Sequence, residues 1–242
     1  MTVTVEAIPI LSDNYAWLLR DAASGATAVV DPADPVPVEE AVMRAGGRLD
    51  LILLTHHHDD HIAGTEHIRA RFHSGVVGAR ADAHRLPRLD QAVTEGDTVR
   101  LGGAEARVID TPGHTRGHIA FYFADGGVLA CGDTLFSLGC GRLIEGSAEE
   151  MFASLHKLAA LPGEALVCCG HEYTEANARF ARHVDPGNAA LRKRAEEVAR
   201  LRAEGRPTVP SRLADELEEN PFLRAPDAAG FATLRAQKDR FR

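Results

Sequence analysis

The segment Thr55-His56-His57-His58-Asp59-Asp60-His61 gathers four of the chain's 12 histidines and two carboxylates into seven positions. Imidazole and carboxylate are borderline ligands suited to zinc, iron or manganese. As core residues, so many imidazoles in one place would be hard to satisfy, because each buried ring nitrogen needs a partner. The internal position and the interspersed aspartates exclude an expression tag. Three further candidates each follow a glycine: His114 in Thr111-Pro112-Gly113-His114-Thr115, Asp133 in Gly132-Asp133-Thr134, and His171 in Gly170-His171-Glu172. Glycine lets the backbone turn sharply and approach a site closely. Taken singly, each of the three is an ordinary turn residue. Beside the histidine cluster they supply the remaining ligands of a metal site, and the chemistry to expect is metal-assisted.

Such groups need a rigid frame to hold them together. Short runs rich in Val, Ile and Leu at 3–10, 28–30, 51–54, 106–109, 119–123, 128–131 and 165–169 read as strands. Helical patterns fall at 38–45, 62–72 and 149–161, each opening after a Pro, Gly or small polar residue. This mixture implies an α/β sheet domain. The histidine cluster directly follows the run 51–54, and His114, Asp133 and His171 follow later runs, so strand ends carry the candidate site. A strand continued through His56 and His58 would aim both side chains the same way and turn His57 elsewhere. Asp60 and His61 would then approach from the helix start as a second group. Asp59 reads as a solvated loop charge. Beyond about residue 172 the strand signal fades. The stretch 188–202 is Ala- and Leu-rich with mixed charge, and Pro207, Pro210, Pro221 and Pro226 punctuate the remainder of the tail. The division expected is therefore a catalytic part at 1–171 and a helical part at 172–242, closely packed because no long linker separates them.

Composition narrows the function classes. The chain has 242 residues, 45% hydrophobic and 26% charged, which excludes a disordered, collagen-like or disulfide-scaffold protein. Its 35 acidic against 27 basic residues give a net charge of -8, which argues against nucleic acid as the main partner. The charge is uneven: residues 190–242 carry 12 basic and 9 acidic residues, leaving the tail positive and the remainder strongly negative. Cys131, Cys140, Cys168 and Cys169 include an adjacent pair and no CxxC spacing, a poor layout for disulfides, so reduced, buried thiols are expected. No apolar run approaches the 18 or more residues that span a bilayer, and the first 20 residues lack a positive signal region. A cytoplasmic monomer acting on a small molecule, with neither membrane nor nucleic acid as partner, is the expectation.

These motifs resemble the metallo-β-lactamase superfamily, whose T-H-x-H-x-D-H signature is followed by a His, an Asp and a His at later strand ends. All seven positions match, in His56, His58, Asp60, His61, His114, Asp133 and His171. The resemblance implies an αββα sandwich with its site at one edge of two sheets. It also implies two divalent metal ions, with zinc expected and iron or manganese also suited. His56, His58 and His114 would hold one, Asp60, His61 and His171 the other, and Asp133 would bridge them.

Within the superfamily the chain is more similar to the glyoxalase II, or hydroxyacylglutathione hydrolase, family, nearly end to end. Matching stretches include Gly117-His118-Ile119, Gly132-Asp133-Thr134-Leu135-Phe136, Gly139-Cys140-Gly141-Arg142 and Gly170-His171-Glu172-Tyr173-Thr174. Asn220-Pro221-Phe222-Leu223-Arg224 and Arg235-Ala236-Gln237-Lys238-Asp239 resemble that family's helical domain, which most other superfamily members lack. The resemblance implies hydrolysis of S-D-lactoylglutathione to glutathione and D-lactate by a hydroxide shared between the metals, the second step of methylglyoxal detoxification. Asp60 and Asp133 would be the catalytic carboxylates. Arg235 and Lys238 would meet the glycine carboxylate of the substrate, with Tyr173 and Arg142 completing the glutathione pocket. One departure is visible: Gly141-Arg142-Leu143-Ile144 stands where better-known members have Gly-Lys-x-Tyr. A lost hydrogen bond there would weaken binding by about 1 kcal/mol. Two alternatives are a glutathione persulfide dioxygenase with a single iron and a non-catalytic metal-binding module.

Overall fold

Alternating burial along β1 (Val3–Ile10) and near-complete burial of β2 (Asn14–Asp21) set the geometry of a first sheet. These strands continue into β3 (Thr27–Val30), β4 (Leu51–Leu53), β5 (Gly75–Ala79) and β6 (Gln91–Val93), which lie side by side in chain order. The first three pair antiparallel and the rest parallel. Tyr15, Trp17 and Leu19 of β2 point into the main core. Ala16 and Leu18, on the opposite face, pack with Val38, Ala41 and Val42 of α1 (Pro35–Arg44). This is the period-two consequence of a sheet covered on both sides. The computed structural model describes residues 3–241, so the expected outer bounds Met1 and Arg242 lie outside the described residues.

The second sheet contains β7 (Thr98–Leu101), β8 (Ala104–Asp110), β9 (Ile119–Phe123) and β10 (Val128–Gly132). A small hairpin of β11 (Leu135–Phe136) and β12 (Gly139–Cys140) then precedes α4 (Ala148–Ala159) and β13 (Leu166–Cys169). Val99, Val108, Phe121 and Leu129 from this sheet share one core with Trp17, Val30, Leu53 and Val77 from the first. Met151, Leu155 and Leu158 of α4 extend the same core. Ser147 caps that helix and forms a reciprocal capping box with Glu150. The result is the expected α/β sandwich.

The helical tail holds α5 (Thr174–Val184), α6 (Ala189–Ala203), α7 (Leu213–Glu219) and α8 (Ala228–Arg240). Phe231 of α8 sits 6.3 Å from Phe152 of α4, ring to ring, which anchors the tail on the sandwich. One expectation needs correcting. The helix expected at 62–72 is two helices, α2 (Asp59–Ile62) and α3 (Thr65–Phe72), with Ala63 and Gly64 between them in neither. The tail is mostly helical, as expected, and its short β14 (Ser211–Arg212) pairs with β13 and covers what would otherwise be a bare sheet edge. Among the described residues no helix is long and apolar enough to cross a membrane.

Candidate active site

The strand expected to run through His56 and His58 ends earlier. β4 stops at Leu53, and Thr55 turns the chain by donating from its amide and hydroxyl to Asp31 at 2.9 and 2.6 Å. His56 and His58 converge all the same: His56 Nε2 lies 3.1 Å from His58 Nδ1, which in turn lies 3.0 Å from His114 Nε2. His57 faces away, toward Asp82. The first turn of α2 brings a second group into place. His171 Nε2 is 3.4 Å from Asp60 Oδ2, and His61 Nε2 is 3.7 Å from the same oxygen. Asp133 lies between the groups, its Oδ1 3.4 Å from His61 Nε2 and its Oδ2 3.3 and 3.5 Å from His171 and His114 Nε2.

All seven residues named from the sequence therefore meet at one point, as two three-residue groups joined by a carboxylate. Each group offers ligand atoms mutually within 4.8 Å, a spacing that fits a cation among them. His61 Nε2 and Asp133 Oδ1 are buried without a hydrogen bond to any described residue. Buried polar atoms left so are rare unless a ligand or ion satisfies them. The donor set, five imidazoles and two carboxylates, suits a divalent transition metal. Gly170 shows how close the packing is: a Cβ there would fall 2.4 Å from Asp133 Oδ1 and 2.6 Å from His61 Cε1.

The electrostatics divide the imidazoles. Burial, reinforced by neighbouring histidines, holds His56 well below its ordinary range, and burial likewise lowers His58 and His114. These three are neutral, the form that can ligate a cation. Burial alone would lower His61 as well, but the Asp133 charge and the hydrogen bond to Asp31 carry it up to about 9. His171 is raised in the same way, with Asp133 outweighing burial. Burial would raise Asp133, yet the charges of His61 and His171 keep it well below the usual carboxylate range. An ionised carboxylate thus sits where positive charge must converge.

Several partners that orient these groups carry no obvious mark in the sequence. His61 Nδ1 contacts Asp31 at 3.0 Å, His171 Nδ1 contacts Asp13 at 2.9 Å, and His114 Nδ1 contacts the Arg142 carbonyl at 2.9 Å. Each contact occupies Nδ1 and leaves Nε2 facing the centre. Asn14 Nδ2 donates to the carbonyl and Oδ2 of Asp60, at 3.1 and 3.0 Å. His118 stacks on His56 and accepts from the Asp133 amide at 3.1 Å. Asp31 follows the strand 28–30 much as the other site residues follow theirs, which is the one signal that could have singled it out. Asp59 is exposed, as expected of a solvated charge.

The two groups open into a cleft of about 580 Å³ whose wall includes Arg142, Ile144, Tyr173, Arg235 and Lys238. Tyr173 stacks on His171 with centroids 4.5 Å apart. Arg235 is buried and largely engaged by the wall itself, donating to the Cys140 carbonyl at 2.9 Å and to Asp239 at 2.9 and 3.2 Å. Lys238 spends one donor on the Ala176 carbonyl at 2.9 Å and keeps two. A separate hollow of about 510 Å³ near Glu66 and His73 lies away from these groups, and its Arg69 and Asp90 pair with each other at 2.8 Å. All four cysteines are free and buried, and burial pushes Cys140 up to about 11 and Cys169 up to about 12. They remain thiols.

The profile of the metallo-beta-lactamase superfamily matches residues 11–171, and that of the hydroxyacylglutathione hydrolase C-terminus matches residues 172–241. A hydroxyacylglutathione hydrolase of Acidiphilium cryptum is 61% identical over 238 residues, covering 98% of this chain and 97% of its own. One from Methylococcus capsulatus is 53% identical over 249 residues, covering 97% of each. Among solved structures, ETHE1 from Myxococcus xanthus superposes with a TM-score of 0.72 at 25% identity, over 96% of this chain and 90% of that one. The BLEG-1 B3 metallo-beta-lactamase has a TM-score of 0.70 at 23% identity, over 91% and 99%, a likeness of fold alone.

Proposed function

The chain belongs to the hydroxyacylglutathione hydrolase family of the metallo-β-lactamase superfamily, and on that premise we propose that it cleaves S-D-lactoylglutathione to glutathione and D-lactate. The observation that carries this reading is the union of two ligand groups through Asp133 at the floor of a cleft walled by Arg142, Tyr173, Arg235 and Lys238. His56, His58 and His114 would hold one divalent cation and Asp60, His61 and His171 a second, with Asp133 shared and zinc favoured over iron or manganese. When bound, such cations would supply a water acidified toward the neutral range and an electrophile for the thioester carbonyl.

The chain's own residues do the positioning. Partners on Nδ1 fix the imidazoles of His61, His114 and His171, so each ligand nitrogen is aimed before substrate arrives. Asp133 stays ionised throughout the neutral range. Hydrolysis would add the oxygen of a water to the carbonyl carbon and break the carbon–sulfur bond, giving D-lactate and glutathione. Glutathione leaves as thiolate with little need of prior protonation, since a thiol is a much stronger acid than an alcohol or amine. No Ser or Cys nucleophile is required, in keeping with the raised, buried thiols. Arg235 and Lys238 would meet the glycine carboxylate of the substrate, with Arg142 and Tyr173 completing the glutathione pocket, and the contacts of Arg235 to Cys140 and Asp239 would hold its side chain in the wall. Residues 1–171 would thus form the catalytic part and 172–242 the substrate-binding part of a cytoplasmic monomer.

Asp133→Ala tests the shared-carboxylate assignment. The variant is expected to lose both metals by elemental analysis and to lose turnover with them, whereas two retained metals with normal activity would refute it. A single metal in the wild-type protein, with oxygen consumed and no thioester cleaved, would favour the persulfide alternative.

A further inference from the structure

Three charged side chains and a histidine that the proposed reaction does not use form a connected set beside the cleft. His57 Nδ1 lies 3.0 Å from Asp82 Oδ2, and its Nε2 lies 3.7 Å from Glu145 Oε1. Arg85 joins the two acids, donating to Asp82 Oδ1 at 2.6 Å and to both oxygens of Glu145. Glu145 also accepts from the Arg116 amide at 2.9 Å. Asp82 is buried against residue 117, where a Cβ would fall 2.2 Å from its carboxyl carbon, so Gly117 leaves the space the carboxylate occupies. Bidentate, charge-assisted contacts of this kind fix geometry as well as supply energy.

The set is attached to the segment 142–146, which forms one lip of the cleft. The amides of Ile144 and Glu145 donate to the His114 carbonyl, each at 3.3 Å, and the Gly146 amide donates to Gly113 at 3.1 Å. Apolar burial holds this lip only at Leu143, which packs partly buried against the main core, since Arg142 is exposed and Ile144 is 59% exposed. Arg142 and Ile144 nonetheless line the cleft. With one partly buried side chain on the core, the lip takes the rest of its position from polar anchors, and Glu145 is the side chain that carries the charged ones.

We propose that Arg85 and Glu145, backed by Asp82 and His57, are positioning residues that brace the 142–146 lip and thereby set where Arg142 and Ile144 meet the glutathione portion of the substrate. The substrate class rests on the proposed function; the brace itself does not. Hydrogen exchange at the amides of Ile144, Glu145 and Gly146 tests it, alongside KM, kcat and binding of S-methylglutathione, a thioether that cannot be hydrolysed. In Arg85→Ala and Glu145→Gln, exchange at these amides is expected to rise about tenfold, local opening being what the brace opposes. KM and the thioether dissociation constant should rise by about tenfold with kcat within about twofold, the signature of lost binding rather than lost chemistry. Arg85→Lys should restore part of both effects. Unchanged exchange in a folded variant, or kcat lost with KM unchanged, would overturn the proposal. Should Arg85→Ala fail to fold, Glu145→Gln and Arg85→Lys give the same reading. If the wild-type protein cleaved no thioester, the proposed function would fall while the exchange measurements would still decide the brace.

Discussion

Lys238 is the titratable cation of the cleft, and its surroundings make its charge depend on pH near the working range. Burial, with the positive charges of Arg235, Arg179 and Arg142, pushes it down to about 8, and Cys140 pulls weakly the other way. A folded pKa below the ordinary lysine value means that the cation is present below about pH 8 and lost above it. KM for the glutathione thioester should therefore rise as pH passes through 8, with kcat changing less, and Lys238→Ala should abolish that rise. A KM flat from pH 7 to 9 in the wild-type enzyme would remove Lys238 from the binding site. At this scale the sequence was most informative about the residues that touch the centre. His56, His58, Asp60 and His61 were legible because so many imidazoles together are costly to bury without a task, and His114, Asp133 and His171 became legible only beside that cluster. Their partners Asp13, Asn14 and Asp31 were not, because a single Asp or Asn at a turn is ordinary and only the fold brings it to a ring nitrogen.

The helical tail matters to the site through one element as much as through its cations. Asn220, at the end of α7, donates from Nδ2 to the carbonyls of Phe136 and Gly139, at 3.1 and 3.0 Å, and lies 3.1 Å from Glu216 Oε2. Glu216 itself accepts from the Leu138 amide at 2.7 Å. The β11–β12 hairpin, whose Phe136 and Cys140 line the cleft, is thus held by the tail. Asn220→Ala leaves buried acceptors without a donor and should cost about 1–3 kcal/mol, read from urea unfolding. A change below about 0.5 kcal/mol, the usual size of a neutral surface substitution, would show that the clamp is dispensable. The strands at 119–123 and 128–131 were readable because they are continuous apolar runs buried on both faces. β2, β6 and β7 were not. β2 opens on Asn14 and ends on Arg20 and Asp21, β6 is three residues opening on Gln91, and Arg100 breaks β7, so their pairing is decided by neighbours distant in the chain. β14 is two residues long and exists only because β13 offers it an edge.

At the scale of the whole molecule, the candidate ligands come from the end of β4, the start of α2, the β8–β9 connection and the ends of β10 and β13, so both sheets contribute. A cation bound there would tie the two sheets together and stabilise the native state by mass action. At 100 times its dissociation constant the gain is about 2.7 kcal/mol. With a shift of about 2–4 °C per kcal/mol for a chain of this size, chelation should lower the melting temperature by about 5–10 °C, and metal re-addition should restore it. A melting temperature indifferent to chelator would mean that the groups converging on Asp133 hold no structural cation. The most direct test of the proposed activity is the loss of thioester absorbance from S-D-lactoylglutathione on adding the purified protein, before chelation, after it, and after metal is returned. The expected result is rapid hydrolysis that chelator abolishes and divalent metal restores. A protein shown to hold two metals that leaves the thioester intact would contradict it.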